Sequence, residues 1–260
     1  METLDHIVVN TLTGMDDAAA LFEGLGFTLT PRGHHSLGSV NHLMMTPGAY
    51  LELVGVPPTG LQRADVLDSP LGLNGLVLRS GDADETFDTL ARRGLSPSAP
   101  VSFSRPVTVD GRRSEARFRT VRVPAGLFPA GRVYFCQHLT PDLVWREEWM
   151  DHPNGFDGFG VLTVTSPDPA AQVARYEGLC GGTAAASGSG WRLGTDGCEI
   201  DLVPGGGDAF AKIGVTFRDL DALRSRALAL DGVEWRDETP DRASLWIPSL
   251  RLHLECGRRP

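Results

Sequence analysis

The chain has 260 residues, 24 basic against 33 acidic side chains, a formal net charge of −9, and 41% hydrophobic residues. That length supports one large domain or two of ordinary size, and the negative balance argues against nucleic acid or an anionic membrane as the main partner. No apolar run is long enough to span a bilayer and no signal pattern leads the chain, so the expected location is the cytoplasm.

The first strand signal is "LDHIVV" (4–9), apolar but opened by Asp5 and His6. A helix is predicted over 14–27, with Asp16 as cap, apolar residues at 18, 21, 22 and 25 on one face, and Gly26 as stop. Strands are predicted at "FTLTP" (27–31), "SVNHLMM" (39–45) and "AYLELVGV" (49–56). This strand, helix and three strands form a unit, and the unit recurs.

The second copy runs from "LNGLVLR" (73–79) through a helix over 82–95 to strands "VSFSRPVTV" (101–109), "EARFRTVRV" (115–123) and "RVYFCQHL" (132–139). The third opens at "FGVLTVT" (159–165), continues in a helix over 168–181 and ends at "CEIDLVP" (198–204). Its "AAASGSG" (184–190) reads as a loop of small residues. The fourth opens at "AKIGVTF" (211–217), with a helix over 219–232 and a last strand in "LRLHLECG" (250–257). The Gly-rich "VPGGGDAF" (203–210) lacks the spacing of a phosphate loop and reads as a linker. Each unit has one apolar sheet face and must pair to bury it, giving two domains, 1–150 and 151–260, divided within "REEWMDHPNGFDG" (146–158). Cys136, Cys180, Cys198 and Cys256 are scattered without a CxxC pair and read as reduced, buried thiols.

Four such units, with "LDHIVVNT", "HHSLGSVNHL" (34–43), "YLELVG" (50–55) and "YFCQHLTPDLVW" (134–145), resemble the vicinal oxygen chelate superfamily. Glyoxalase I, bleomycin-resistance proteins and extradiol dioxygenases belong to it, and the first half is most similar to its glyoxalase-like branch. The resemblance implies an α+β fold in which tandem βαβββ modules pair into two incomplete barrels. It also implies a divalent metal ion (Fe, Mn, Ni or Zn), with no organic cofactor, held by residues of the first and last strand of each unit.

On that pattern His6 and Glu52 are metal ligands. Alternation sets Glu52 on one face with Tyr50 and Val54, in a strand where an unpaired buried charge would be expensive. The second unit has Gly75 where the first has His6. Its last strand brings Cys136, Gln137 and His138 to the carboxylate position, and which faces inward depends on register. With His138 inward, His6, Glu52 and His138 make a set with open positions for a substrate. Glu52 is also the candidate base. His34, Asn41 and Trp145 are candidate substrate-binding residues. Each has a plainer alternative: a core histidine, an Arg-paired glutamate, a turn at "SLGSVN", and a Trp pair (Trp145, Trp149) that buries a connection or, if helical, lids a cavity. In the second half Asp201, Glu255 and His253 lack a first-strand imidazole, which suggests a degenerate pair. The implied function is a metal-dependent lyase or dioxygenase acting on a small substrate with vicinal oxygens. The alternative is a metal-free small-molecule binding protein, and a homodimer is compatible with either.

Overall fold

The apolar run that opens each unit becomes a strand at the middle of a sheet. The computed structural model describes residues 1–259. The first unit is β1 (Leu4–Leu12), α1 (Met15–Gly24), β2 (Gly33–His34), β3 (Val40–Met45) and β4 (Tyr50–Gly55). A short helix, α2 (Ala64–Leu67), lies in the connection to β5 (Gly72–Arg79), α3 (Ala83–Arg92), β6 (Val101–Val109), β7 (Arg112–Arg122) and β8 (Arg132–His138). The third unit is β9 (Phe156–Ser166), α4 (Pro169–Cys180), β10 (Ala185–Ser187), β11 (Gly190–Thr195) and β12 (Cys198–Pro204). The fourth is β13 (Ala209–Phe217), α5 (Leu220–Ala229), β14 (Glu234–Thr239), β15 (Arg242–Ile247) and β16 (Leu252–Arg258).

Three helices start where an Asp side chain accepts from first-turn backbone amides: Asp82 for α3, Asp168 for α4 and Asp219 for α5. The first helix differs from expectation. Gly14 holds its cap position without a side-chain bond, and Asp16 sits in the first turn, 2.6 Å from Arg32 Nη2. "FTLTP" forms no strand, because the chain crosses there toward the two-residue β2. Conversely "AAASGSG" contains β10, which pairs with β11 despite its small side chains.

The strand order is β2-β3-β4-β1-β5-β8-β7-β6 in the first sheet and β10-β11-β12-β9-β13-β16-β15-β14 in the second. Each unit closes on a parallel pair, such as β1 with β4, and paired units join through an antiparallel contact, such as β1 with β5. The first sheet curls until its ends meet: Ser36 N donates to Ser104 O at 2.8 Å, and Ser104 N to Ser36 Oγ at 3.1 Å. This is the α+β arrangement of tandem βαβββ modules paired into incomplete barrels.

Two apolar clusters result. One runs through both halves, joining Ile7, Val9 and Phe22 to Phe156, Ile213 and Phe217. The other lies inside the first barrel, with Val8, Leu43, Tyr50, Phe118 and Cys136. The "HPNG" stretch fastens the halves together: His152 Nε2 bonds Met45 O at 2.7 Å, and Asn154 Nδ2 donates to Leu25 O at 3.1 Å.

Candidate functional site inside the first barrel

The pairing of β1 with β5 shifts register between Leu4 and His6. Such a bulge breaks alternation, so Asp5 and His6 both turn into the barrel instead of to opposite faces. Asp5 is 0% exposed, and its Oδ1 meets His6 Nδ1 at 2.6 Å and His138 Nε2 at 3.1 Å. Burial alone would raise the Asp5 pKa. The charges of His138 and His6 and their hydrogen bonds outweigh it and hold the carboxyl well below its usual range. An ionised carboxylate only accepts, so His6 Nδ1 and His138 Nε2 donate. That leaves His6 Nε2 for the cavity, where it lies 3.3 Å from the Tyr134 hydroxyl and 3.5 Å from Glu52 Oε2. The Tyr50 ring stacks on His6 at 4.4 Å, and Asn41 Nδ2 donates to Glu52 Oε1 at 2.6 Å.

Register also decides the last strand of the second unit. Arg132, Tyr134 and Cys136 line the cavity. Gln137 turns outward, accepting from Ala83 N and donating to Gly81 O. In the first unit Val8, two residues past His6, pairs with Glu52. In the second Val77, two past Gly75, pairs with Tyr134. Tyr134 therefore stands at the second unit's carboxylate position. Burial and then Glu52 push its phenol pKa up, with Arg132 and Arg63 acting the other way.

The four corners at which the resemblance implies a metal thus hold an imidazole, a carboxylate, a phenol and a glycine. A Cβ at Gly75 would stand 2.6 Å from Val8 Cγ2, so Val8 already fills that corner. These corners do not fit a divalent ion, which needs three or four strong donors. Nor does His138 complete the set with His6 and Glu52. Its Nε2 is committed to Asp5, and it faces an outer recess shared with Trp145 and Arg79. One other trio converges among the described residues: ligand atoms of Asp5, Cys136 and His138 lie within 4.8 Å of one another.

The remaining candidates divide. Asn41 lines the cavity. His34 is exposed on β2 outside it, whereas its neighbour His35 lines it and bonds Ser39 Oγ at 2.8 Å. Trp145 packs on His138 and Tyr50 (ring centroids 4.6 and 5.6 Å) beneath the Arg79 guanidinium. No helix carries both Trp residues; Trp149 ends a separate 3-10 turn, Glu147–Trp149. In the second half Asp201 is held by Arg192 through two 2.6 Å bonds, and Glu255 pairs with Lys212.

The cavity is narrow, with about 30 Å³ open to the centres of water-sized molecules, roughly two or three water positions. Four arginines line it: Arg63, Arg105, Arg122 and Arg132. Asp65 takes two bonds from Arg63, at 2.7 and 2.8 Å, and one from Arg122 at 3.1 Å. Arg63 and Asp65 belong to the connection after β4, which Asn10 Nδ2 anchors by donating to Val66 O, Ser69 O and Pro70 O. Burial, then Arg105 and Arg63, lower the His35 pKa to about 3. Asp5, Tyr134 and these arginines lie outside the sequence-derived set. One signal marks Arg105: alternation through "SFSRPVTV" places it on the same face as Phe103 and Val107, a charge on an apolar stripe.

The family model for the glyoxalase-like domain matches residues 4–180. The chain belongs to that family and, with it, to the vicinal oxygen chelate superfamily. A hypothetical protein from Staphylococcus aureus, 12% identical, aligns over the whole of both chains with a TM-score of 0.75. A xylose isomerase-like TIM barrel/4-hydroxyphenylpyruvate dioxygenase fusion protein, 13% identical, aligns over 99% of this chain and 48% of its own with a TM-score of 0.61. A triple mutant of 4-hydroxymandelate synthase from Streptomyces coelicolor, 12% identical, aligns over 100% and 93% with a TM-score of 0.59. At such identities the likeness is one of fold. No curated protein matches the sequence, and among the described residues no helix is long and apolar enough to cross a membrane.

Proposed function

We propose that the first barrel is a small-molecule site in which Glu52 moves a proton to or from carbon next to a carbonyl, a lyase- or isomerase-type reaction. The observation that carries this reading is the placement of Glu52. Its carboxylate sits in an enclosed cavity, oriented by Asn41 Nδ2, which donates to Oε1 at 2.6 Å, with His6 Nε2 3.5 Å from Oε2. A base oriented through a second group is the usual architecture of proton transfer. Glu52 takes the proton as the C–H bond breaks, the electron pair moves onto the carbonyl oxygen, and the Tyr134 hydroxyl is a donor for that oxygen. The proton returns at the same or a neighbouring carbon, so no oxidant is consumed.

The test is proton NMR in deuterated water with a panel of 2-oxoaldehydes, their thiol adducts and 2-oxo acids. Wild-type protein should exchange a carbon-bound proton of one member. Glu52→Gln should lose at least about a hundredfold of that rate, the scale of one general base, while still binding. Binding without exchange in wild type would make the barrel a sequestering site, as in bleomycin-resistance proteins. Absence of any binding would sink both readings.

The converging trio favours a second reading, a divalent ion held by Asp5, Cys136 and His138. Elemental analysis after loading with Fe(II), Mn, Ni or Zn in turn decides it. About one ion per chain, lost in His138→Ala and Cys136→Ser, supports it; none retained by wild type excludes it.

A further inference from the structure

We infer that the barrel's ligand is a small hydroxylated carboxylate whose anionic group is received by Arg105. This rests on the reading of the barrel as a small-molecule site and names the substrate class. Among the described residues eight buried side-chain nitrogen or oxygen atoms lack a hydrogen-bond partner. Five of them belong to residues lining this one cavity: Asn41 Oδ1, Arg105 Nε and Nη2, Thr120 Oγ1, and Arg132 Nη2. Buried polar atoms in native proteins are nearly always satisfied, so such a concentration marks this cavity as built to receive a polar partner, water or ligand.

The open atoms describe that partner. Three are guanidinium N–H groups, which only donate, and the Thr120 hydroxyl can do either. Asn41 must turn Nδ2 toward the Glu52 carboxylate, so its free Oδ1 needs a donor. The complement is an anion with at least two accepting oxygens and one O–H, and a planar carboxylate matches the planar fork of arginine.

Charge points the same way. Arg63 and Arg122 share Asp65, and Arg132 Nε donates to Asn74 Oδ1 at 2.8 Å. Arg105 is 3% exposed and makes no salt bridge among the described residues, with only the more distant Glu52 carboxylate of the same cavity offsetting part of its charge. Water can satisfy its hydrogen bonds but cannot neutralise its charge. Position links the ligand to the chemistry as well. The Asn41 side chain that would accept the ligand's O–H is bonded to Glu52, which sets that hydroxyl beside the proposed base. Gly33 is what lets Asn41 and Arg105 stand where they do, since a Cβ there would lie 2.2 Å from Asn41 Oδ1 and 2.8 Å from Arg105 Cδ.

The experiment is titration calorimetry with glycolate, lactate and malate, with glycolamide and lactamide as neutral counterparts, and with inorganic phosphate. Wild type, Arg105→Met and Arg105→Lys are compared, and unliganded melting temperatures are recorded. At least one carboxylate should bind at least about tenfold tighter than its amide, the scale of a lost hydrogen bond to a charged group. Arg105→Met should erase that preference, weakening acid binding far more than amide binding, while Arg105→Lys, which keeps the charge without the fork, should keep part of it. Unliganded Arg105→Met should melt higher than wild type, because an unpaired buried charge has been removed.

Amides binding as well as acids would overturn the anion assignment and leave the small-molecule site standing. Phosphate binding tighter than every carboxylate would overturn the carboxylate. An Arg105→Met protein that melts lower and binds acids unchanged would make Arg105 structural. If neither acid nor amide binds, both the inference and the reading beneath it fail.

Discussion

Asp5 shows how much a single buried carboxylate organises. By accepting from two imidazoles it fixes which nitrogen of His6 faces Glu52, and its low pKa keeps it ionised to do so. His35, on the same cavity wall, obeys the opposite electrostatics: burial and two arginines keep it neutral in the fold, at about 3 against an ordinary 6.5. Between those values the unfolded chain holds a proton that the folded chain does not, so stability falls as pH is lowered through that window. His42 and His152, also lowered by burial, act in the same sense. Urea midpoints from pH 7 to pH 4 should therefore decline less steeply in His35→Asn than in wild type. Equal slopes would assign the whole effect elsewhere.

Strands decide what a sequence of this kind can disclose about its site. Alternation was enough to put Glu52 with Tyr50 and Val54 in one interior, because β4 is regular. It gave Asp5 no role, since a bulge is a difference in pairing between two strands and leaves no mark on one of them. It left Cys136, Gln137 and His138 unresolved for a similar reason, as a one-residue slip exchanges the faces of β8. Two of the arginines escaped notice for plain reasons: Arg122 shares β7 with outward-facing arginines such as Arg119, and Arg63 lies in the connection after β4. Between β1 and β5 the fit of Val8 against Gly75 makes a specific prediction. Gly75→Ala alone should cost about 1–3 kcal/mol through overpacking. Combined with Val8→Ala it should cost less than the two single changes added together, by about 1 kcal/mol or more in urea unfolding. Strict additivity would mean that the two side chains do not compete for the space.

Across the whole molecule the repeat was legible and the way its halves associate was not. Four similar units predict paired sheets, but nothing in their periodicity says that the helix-side faces of both sheets share one core. Phe27, Phe156 and Phe217 meet at that junction, with ring centroids 5.3 to 6.1 Å apart. Phe217 is 0% exposed. Its replacement by Ala should cost about 3–5 kcal/mol. Hydrogen exchange should report the loss in β1 of the first sheet as well as in β13. Faster exchange confined to the second sheet would show that the halves unfold separately.

The narrowness of the barrel interior has a consequence for tempo. The space between Glu52 and Arg105 takes only about two or three waters while the wall stays as it is. Most of that wall is strand; the parts that are not are the stretch bearing His35 and the connection bearing Arg63, pinned at its far end by Asn10. The expectation is that arrival and departure are paced by how often one of those stretches lifts, not by diffusion. Observed binding rates should level off as ligand concentration rises, and residence inside should outlast what the affinity alone would suggest.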